Sequence, residues 1–510
     1  MSKLTCESGL ACVFMGKDLR WIPYDPSVET SLGIPYPPKT DSWNKSDTSL
    51  FVTISSFRDK LCPITLYNLY TKAAYPQRIT LGVVQQNLDE DIDCLETYCK
   101  MLKENQVQYD RLSLLSSDKD CPFRNQITVD KVNANEAKGP TWARARGSLL
   151  LKDEEFCMQI DSHMDFVGKW DTKMMHMWSL TNNEYGILST YVAASEQLQF
   201  NEDGGRGMNN MHEVPHLCMV TYYGSYGLIR NWGTKCARAL PKPKLTNAIW
   251  GAGLSFSKCH AELKVPYDPH TPFIFDGEEF SRAVRFFTHG YDIYTPHRVY
   301  VVHNYKDSQS DPKHMSWSAN EVRERTDSTL QSVKRLKMLL GYKQDINDEK
   351  QTLEVQQSKY GLGDRRTLQQ AITFSGVDTT NLVSLGNYCG NIAYIPFIEH
   401  PFGPDYIPKY NPITLKYEDI RDPTSVYYNK SDSENILKWT NAKMKYDQLH
   451  NTDNAIKPIT YSINYRNLHP NPNLDHTANY ILIIFSIGMF LLATNWRILM
   501  RTKKAYEFRQ

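Results

Sequence analysis

The sequence lacks the signatures of several common enzyme and binding classes. It contains no G-x-x-x-x-G-K-S/T phosphate loop, no H-E-x-x-H zinc motif and no G-x-S-x-G nucleophile motif. It also lacks an excess of either charge, because 58 Lys and Arg residues oppose 57 Asp and Glu residues and leave a net charge of +1. Such a balance provides no general attraction to polyanions, so we expect no nucleic-acid partner.

The 11 cysteines are also without a recognisable pattern. None lie in a C-x-x-C pair, and Cys94 and Cys99 have no cysteine and histidine cluster beside them that would complete a zinc site. We therefore expect mostly free, buried thiols. A few disulfide bonds in a lumenal domain are the alternative.

No secretory signal is recognisable at the start of the chain. The apolar stretch within residues 1–18 is short, is interrupted by Glu7, Gly9 and Lys17, and follows no basic region. Residues 480–496 (YILIIFSIGMFLLATNW) are different, because they carry no charge over 17 residues. This length reaches the lower limit of the roughly 17–25 residues that cross a bilayer.

The segment 480–496 therefore predicts a single-pass C-terminal membrane anchor, with a buried core helix as the alternative. Tyr480 and Trp496 are residues typical of the membrane interface, and the basic tail 497–510 follows. The orientation stays open. A tail anchor leaves the preceding domain in the cytosol, whereas the positive-inside rule places that domain in the lumen of the ER or Golgi.

The pattern of apolar residues in the first third of the chain predicts an α/β fold. Runs rich in β-branched or apolar residues at 50–54, 79–84 and 157–160 indicate strands, and 63–74 and 142–151 indicate helices. A strand, helix, strand order is typical of a parallel sheet. Polar residues follow each predicted strand, and the carboxyl ends of parallel strands open onto one crevice where ligands bind.

The triplet Asp161-Ser-His163 follows the third predicted strand. Alternation places its carboxylate and imidazole on the same side of an extended chain. Mixed oxygen and nitrogen ligands suit Mn²⁺, and Mg²⁺ less well. A chance triplet at a strand end is the alternative. His289, His297 or His303 could complete the coordination of an ion, and the residues alone do not choose among them.

Two further groups of charged residues have alternative interpretations. Glu278 and Glu279 precede a predicted helix, where they either bind sugar hydroxyls or stabilise the helix N-terminus. Arg144 and Arg146 either contact a phosphate, which matches the guanidinium fork, or form surface ion pairs.

Taken together, these residues resemble a GlcNAc-transferase family, glycosyltransferase family 60, which is typified by a cytoplasmic hydroxyproline N-acetylglucosaminyltransferase that modifies a ubiquitin-ligase adaptor. The matching motifs run in the order of that family over about residues 50–382. They are FVxIxSxRD (51–59), QIDSH (159–163) with WD (170–171), VPYDP (265–269), FxGEE (275–279), HGYDxYxP (289–296), HxY (303–305) and YGLG (360–363) with Arg366.

The resemblance implies a GT-A fold and a metal-assisted, retaining transfer from a UDP-sugar, usually UDP-GlcNAc, to a protein hydroxyl on Ser, Thr or hydroxyproline. It assigns metal binding to Asp161, His163 and His303. It assigns donor binding to Arg58, Asp59, Gln86 and Arg144, and sugar or acceptor contacts to Glu278, Glu279 and Trp250. No catalytic nucleophile is expected. A glycan or lipid acceptor, or an inactive sugar-binding membrane protein, is the alternative.

The expected domain organisation follows from these features. An irregular leader at 1–48 precedes a GT-A catalytic domain at 49–383, within which the Gly-Gly-Arg-Gly segment 204–207 predicts a mobile loop. An irregular extension at 384–478 then leads to the membrane segment and tail.

Overall fold

The computed structural model describes residues 6, 10–15, 20–197, 213–223, 226–233, 236–247, 249–308, 319–342, 348–384, 389–397, 409–411 and 416–418. All of them belong to one compact unit, Met1–Pro458. The predicted mobile loop 204–207, most of the extension 384–478 and the predicted membrane helix 480–496 lie outside the described residues. Within the described part of the chain, no helix is long and apolar enough to span a bilayer.

The described residues form both helices and strands. The helices are Cys62–Lys72 (α1), Cys94–Glu104 (α2), Gln106–Ser113 (α3), Pro140–Ser148 (α4), Trp170–Ser179 (α5), His260–Lys264 (α6), Glu278–Thr288 (α7), Tyr305–Ser308 (α8), Ala319–Leu339 (α9), Glu349–Gln356 (α10) and Leu368–Ser375 (α11). The strands are Cys12–Met15 (β1), Arg20–Pro23 (β2), Leu50–Phe57 (β3), Ile79–Asn87 (β4), Ile127–Asn133 (β5), Phe156–Ile160 (β6), Met164–Phe166 (β7), Gly186–Ser189 (β8), Val214–Pro215 (β9), Val220–Tyr223 (β10), Leu228–Asn231 (β11), Cys236–Arg238 (β12), Lys244–Leu245 (β13), Leu254–Lys258 (β14), Asp292–Thr295 (β15), Val301–His303 (β16), Val377–Asp378 (β17), Val383–Ser384 (β18), Lys409–Asn411 (β19) and Lys416–Glu418 (β20).

An eight-stranded mixed sheet forms the centre of the fold, in the order β13-β15-β8-β14-β6-β3-β4-β5. Strands β6, β3, β4 and β5 run parallel to one another, whereas β14 is antiparallel to both β6 and β8. This confirms the expected α/β class and fits the expected GT-A fold. The three predicted strands and two predicted helices are present, with β3 and β4 extending three residues beyond the predicted ends.

Helices cover both faces of the parallel part of the sheet. Leu50, Val52 and Ile54 of β3 belong to the main buried core together with residues of α1, α2 and α5. On the other face, Val84 packs with Ala143 of α4. Strands buried on both faces are typical of parallel sheets, because their crossover helices cover each side.

Two expectations about local structure are wrong. Within the supposed irregular leader, β1 and β2 pair with each other, and β1 also pairs with β12 in a separate four-stranded sheet. The cysteines are not mostly free: ten of them form the disulfide bonds Cys6–Cys12, Cys62–Cys94, Cys99–Cys121, Cys157–Cys259 and Cys218–Cys389. Partners up to 171 residues apart have no sequence pattern that joins them, and only the fold brings them together.

Candidate functional site

Neighbouring strand ends bring two carboxylates to one edge of the central sheet. Strand β3 runs parallel to β6, and both end at this edge. Asp59 follows the turn after β3, and Asp161 follows β6 directly. The carboxyl ends of adjacent parallel strands form the usual binding edge of an open α/β sheet. The fold therefore produces the crevice that the sequence predicts.

A small antiparallel pair supplies the remaining histidine. Strand β7 begins one residue after His163 and pairs with β16, with Met164 opposite His303. The peptide N–H of Asn304 donates to the carbonyl oxygen of His163 over 2.9 Å. This register, which joins segments 140 residues apart, places the imidazole of His303 beside that of His163.

Asp161, His163 and His303 converge at this point. One ligand atom from each of these residues lies within 4.8 Å of the other two. The Nε2 atoms of His163 and His303 are 2.9 Å apart, and Nε2 of His303 is 3.6 Å from Oδ2 of Asp161. By contrast, His289 directs its Nδ1 to the carbonyl oxygen of Arg285 in its own helix. The geometry thus groups the three residues expected as metal ligands.

The hydrogen-bond partners around this cluster fit a divalent cation. Nδ1 of His163 lies 2.6 Å from Oδ2 of Asp59, so in the neutral ring Nδ1 carries the proton and Nε2 presents a lone pair. The buried Nδ1 of His303 has no hydrogen-bond partner among the described residues. Two imidazole nitrogens and a carboxylate oxygen are ligands suited to Mn²⁺ or Zn²⁺.

Electrostatics keep the carboxylates of this region ionised. Burial by itself would raise the pKa of Asp161, but the neighbouring His303 and the charge of Arg144 hold that pKa well below its ordinary value. Burial acts in the same direction on Asp59, where hydrogen bonds from His163 and Ser162 also lower the pKa. Both side chains are therefore available as anions near neutral pH.

Arg144 of α4 joins this cluster to α7. Its Nη1 donates to Oε1 of Glu278 over 2.5 Å, and its Nη2 donates to Oδ1 of Asp161 over 3.2 Å. Gly277, at the start of α7, adopts φ +89°. That left-handed conformation favours glycine and turns the chain so that two acidic residues follow at once.

A cavity of about 270 Å³ lies beside the cluster. Asp161 and His303 of the cluster line it together with Phe275, Glu278 and Glu279. The carboxylate of Glu279 accepts hydrogen bonds from the Tyr191 hydroxyl (2.5 Å), the Asn231 amide (3.1 Å) and the Ala252 peptide N–H (2.9 Å). Burial raises the pKa of Glu279 to about 7, and these hydrogen bonds only partly oppose that shift.

Three of the expected site residues lie away from this cavity. Arg58 pairs through its guanidinium with Asp91, at 2.8 and 3.1 Å. Gln86 is buried and donates its amide to the carbonyl oxygen of Ser56. The side chain of Trp250 is fully buried against Tyr267 and Phe286, so its position does not support the expected sugar contact.

The structure adds residues that sequence reasoning missed. Tyr191 and Asn231 come from segments far apart in the chain, and each donates to Glu279. Tyr305 stacks on His303 with ring centroids 3.7 Å apart. Of these, only Tyr305 lay in a recognised motif. The others have no local signal, because a tyrosine or asparagine outside a motif resembles any other polar surface residue.

Comparisons with known proteins place this geometry in context. No curated protein matches the chain. Among solved structures, GalNAc-T7 with UDP, GalNAc and Mn²⁺ is 12% identical, with 62% of this chain and 55% of that chain covered and a TM-score of 0.36. The aligned part thus spans about half of the GalNAc-T7 chain.

Two other solved structures give similar values. TarS (residues 1–349) from S. aureus in complex with UDP-GlcNAc is 11% identical over 60% of this chain and 70% of that chain, with a TM-score of 0.32. The mannosyltransferase PcManGT from Pyrobaculum calidifontis, in complex with GDP-Man and Mn²⁺, is 12% identical over 67% and 78%, with a TM-score of 0.32. At these scores the likeness carries no argument about the ligands of this chain.

The family comparison is more extensive. Residues 49–381 match the family described as Glycosyltransferase (GlcNAc). This segment contains the central sheet, the three clustered ligands and the cavity, and it covers well over half of the 510 residues. The chain therefore belongs to the GlcNAc glycosyltransferase family, which confirms the class of enzyme expected from its sequence.

Proposed function

We propose that this glycosyltransferase transfers GlcNAc from UDP-GlcNAc to a hydroxyl of a protein, with retention of configuration and with the help of Mn²⁺. The acceptor hydroxyl belongs to Ser, Thr or hydroxyproline. The observation that carries the proposal is the convergence of Asp161, His163 and His303 beside a cavity that Glu279 also lines.

Asp161, His163 and His303 would hold the cation. When bound, such an ion neutralises the negative charge that develops on the diphosphate leaving group. Arg144 supports the cluster, because its guanidinium holds Asp161 and remains protonated. Burial lowers the pKa of Arg144, but the charges of Glu278 and Asp161 and the hydrogen bond with Glu278 act together with the neighbouring Tyr267 to raise the pKa overall. This arrangement favours a diphosphate at the cluster and the sugar beyond it.

Glu279 is placed to orient the donor sugar. Its carboxylate is fixed by three donors and faces the cavity, where it can accept hydrogen bonds from sugar hydroxyls. Phe275 lines the same cavity and is 64% exposed, which provides an aromatic surface for an acceptor. Both residues act by positioning, since bringing the reacting groups together supplies much of the acceleration of a bimolecular transfer.

The proposal requires no protein nucleophile. In a front-face transfer, the acceptor oxygen attacks C1 on the side from which the diphosphate leaves, and a phosphate oxygen takes the acceptor proton. The protein then contributes positioning and charge stabilisation. This role matches a cavity whose carboxylates are already engaged by Arg144, Tyr191 and Asn231.

The test uses the full-length protein and follows UDP release from UDP-GlcNAc, UDP-GalNAc and UDP-glucose, with Mn²⁺ or with EDTA. Acceptors are Ser, Thr and hydroxyproline peptides, set against glycan and lipid acceptors. We expect Mn²⁺-dependent release from UDP-GlcNAc, stimulated by a peptide and abolished in Asp161→Ala. If only a glycan or a lipid stimulates UDP release, the acceptor is that molecule and not a protein.

Asp130→Asn is the matched control. It removes a carboxylate of β5 that pairs with Arg146 of α4, and it should leave the reaction unchanged. No release from any donor, together with no metal-dependent UDP binding, would contradict the enzyme and favour an inactive sugar-binding protein. The membrane anchor at 480–496 stays a prediction, which flotation of the full-length protein with vesicles, compared with a chain ending at 475, would check.

A further inference from the structure

The turn between β3 and α1 has an unusual backbone. Arg58 adopts φ +49°, a conformation that a residue with a side chain seldom adopts. Its N–H donates to the carbonyl oxygen of Gln86 over 3.0 Å, and its guanidinium is held by Asp91. Contacts from the neighbouring strand and loop therefore hold the turn in place. Backbone conformations of this kind are unfavourable by themselves and are retained where the surrounding structure requires them.

This turn directs Asp59 inward, behind the metal cluster. The side chain of Asp59 is only 3% exposed. Its Oδ1 accepts the N–H of Leu61 over 2.9 Å. Its Oδ2 accepts the Ser162 hydroxyl over 2.5 Å and faces Nδ1 of His163 at 2.6 Å. Both carboxylate oxygens are thus engaged by the protein, and the buried side chain presents almost no surface to a nucleotide.

The contact with His163 has a specific chemical consequence. An imidazole can coordinate a cation only through a nitrogen that carries a lone pair. Hydrogen bonding of Nδ1 to a carboxylate fixes the tautomer and the ring orientation and increases the basicity of the other nitrogen. In this protein that other nitrogen is Nε2, which faces His303 at 2.9 Å.

We infer that Asp59 is a positioning residue for the cation site, acting through Nδ1 of His163, and that it does not contact uridine. The turn at Arg58 orients the Asp59 carboxylate toward His163. The inference rests on the metal site of the proposed function and assigns Asp59 a role different from the donor contact that its motif implies. Ser162 in turn supports Asp59, because its hydroxyl donates to Oδ2, the oxygen that also faces His163.

The experiment measures Mn²⁺ binding and nucleotide binding separately in the full-length protein. Electron paramagnetic resonance of free Mn²⁺ gives the metal affinity, and ligand-observed NMR in EDTA gives the affinity for UDP without metal. We expect Asp59→Asn to weaken Mn²⁺ binding about 10- to 100-fold and to leave UDP binding in EDTA unchanged. Ser162→Ala keeps the contact with His163, and we expect a smaller loss of about fivefold.

A matched control separates positioning from general destabilisation. Asp268 is also buried and accepts one backbone N–H and one charged side chain, from His270 and Arg335. Asp268→Asn should leave Mn²⁺ affinity within twofold of wild type, even if the melting temperature falls. If Asp59→Asn does not fold, the tautomer of His163 in the wild-type protein decides the question, and imidazole ¹⁵N shifts that place the proton on Nε2 would overturn the inference.

The remaining outcomes distinguish this inference from the proposed function. If wild-type protein binds Mn²⁺ and Asp161→Ala does not, the metal site stands. Equal Mn²⁺ affinities of wild type and Asp59→Asn would then overturn only the role of Asp59. Weaker UDP binding by Asp59→Asn in EDTA would show that Asp59 contacts the nucleotide. If wild-type protein does not bind Mn²⁺ at all, the metal site of the proposed function fails together with the inference.

Discussion

Two carboxylates that line the cavity lie in opposite electrostatic settings. Around Asp161, the neighbouring His303 and the charge of Arg144 together outweigh burial and lower the pKa of the carboxyl group. Around Glu279, burial outweighs the hydrogen bonds from the Tyr191 hydroxyl and the Ala252 peptide N–H and raises the pKa to about 7. The same chemical group is therefore a permanent anion in one place and a group that titrates near neutrality in the other.

The difference corresponds to two kinds of ligand. A permanent anion beside two imidazoles suits a divalent cation and, through it, a charged diphosphate. A carboxyl group held by neutral donors suits uncharged hydroxyls, which can exchange hydrogen bonds with it in either protonation state. One cavity can thus hold the two halves of a nucleotide sugar. Four substitutions test whether the surroundings of Asp161 and Glu279 differ in this way.

The largest effect should follow from removing the anion at the cluster. We expect Asp161→Ala to weaken Mn²⁺ binding and to lower kcat/KM by about 100-fold or more, because the cation loses its charged ligand. Extraction of the metal with EDTA should have the same effect on wild-type activity. Metal titration and UDP release check this. Activity of Asp161→Ala equal to that of wild type would place the cation elsewhere.

The next effect should come from Glu279. As wild-type Glu279 ionises through a pKa of about 7, its hydrogen bonds to sugar hydroxyls strengthen, so kcat/KM should rise between pH 6 and pH 8. Glu279→Gln should lower kcat/KM at pH 8 about 10- to 100-fold and flatten this rise. Mn²⁺ affinity should not change. If kcat/KM of Glu279→Gln still rises between pH 6 and pH 8, the ionisation of another group causes the rise.

Glu279 also makes the stability of the protein depend on pH. Its pKa is raised above the ordinary 4.5, so the folded state binds more protons than the unfolded state between about pH 4.5 and 7. The resulting stabilisation is complete below that window and is lost as the pH rises through about 7. Comparison of urea unfolding of wild type and Glu279→Gln at pH 5 and pH 8 measures it, and an equal pH dependence in the two proteins would contradict the assignment.

A smaller effect should follow from crowding the cluster. A Cβ atom at Gly253 would lie 3.1 Å from Oδ2 of Asp161, whereas one at Gly168 would meet no atom within 4 Å. We expect Gly253→Ala to displace the carboxylate and to weaken Mn²⁺ binding about fivefold, an overpacking cost of about 1 kcal/mol. Gly168→Ala is the control. Equal Mn²⁺ affinities would show that Asp161 can move without loss.

The smallest effect should come from Tyr191→Phe. The Tyr191 hydroxyl donates to Glu279 and favours its charged form, so its loss should raise the pKa of Glu279 by about one unit. The rise of kcat/KM should then occur at higher pH, while Mn²⁺ affinity stays constant. A pH profile that is unchanged or shifted to lower pH would contradict the hydrogen bond as the cause.

Much of the site could be predicted because its signals are local. The triplet containing Asp161 and His163 follows a strand that its apolar residues identify, and the resemblance named His303, which the structure brings to the same cluster. Arg58 belongs to a motif of the same resemblance, yet its guanidinium pairs with Asp91 and does not line the cavity. A motif does not distinguish a residue that contacts a ligand from one that supports the backbone beside it.

The sequence by itself determined the α/β class and the crevice at the strand ends, because hydrophobic periodicity is a property of neighbouring residues. It also determined the enzyme class, because the short motifs and their order can be recognised along the unfolded chain. Only the tertiary structure decided the five disulfide bonds, the pairing of β7 with β16 that brings His303 to His163, and the burial that raises the pKa of Glu279. These features depend on the distance and solvation of groups far apart in the chain, and such quantities are fixed only when the chain has folded.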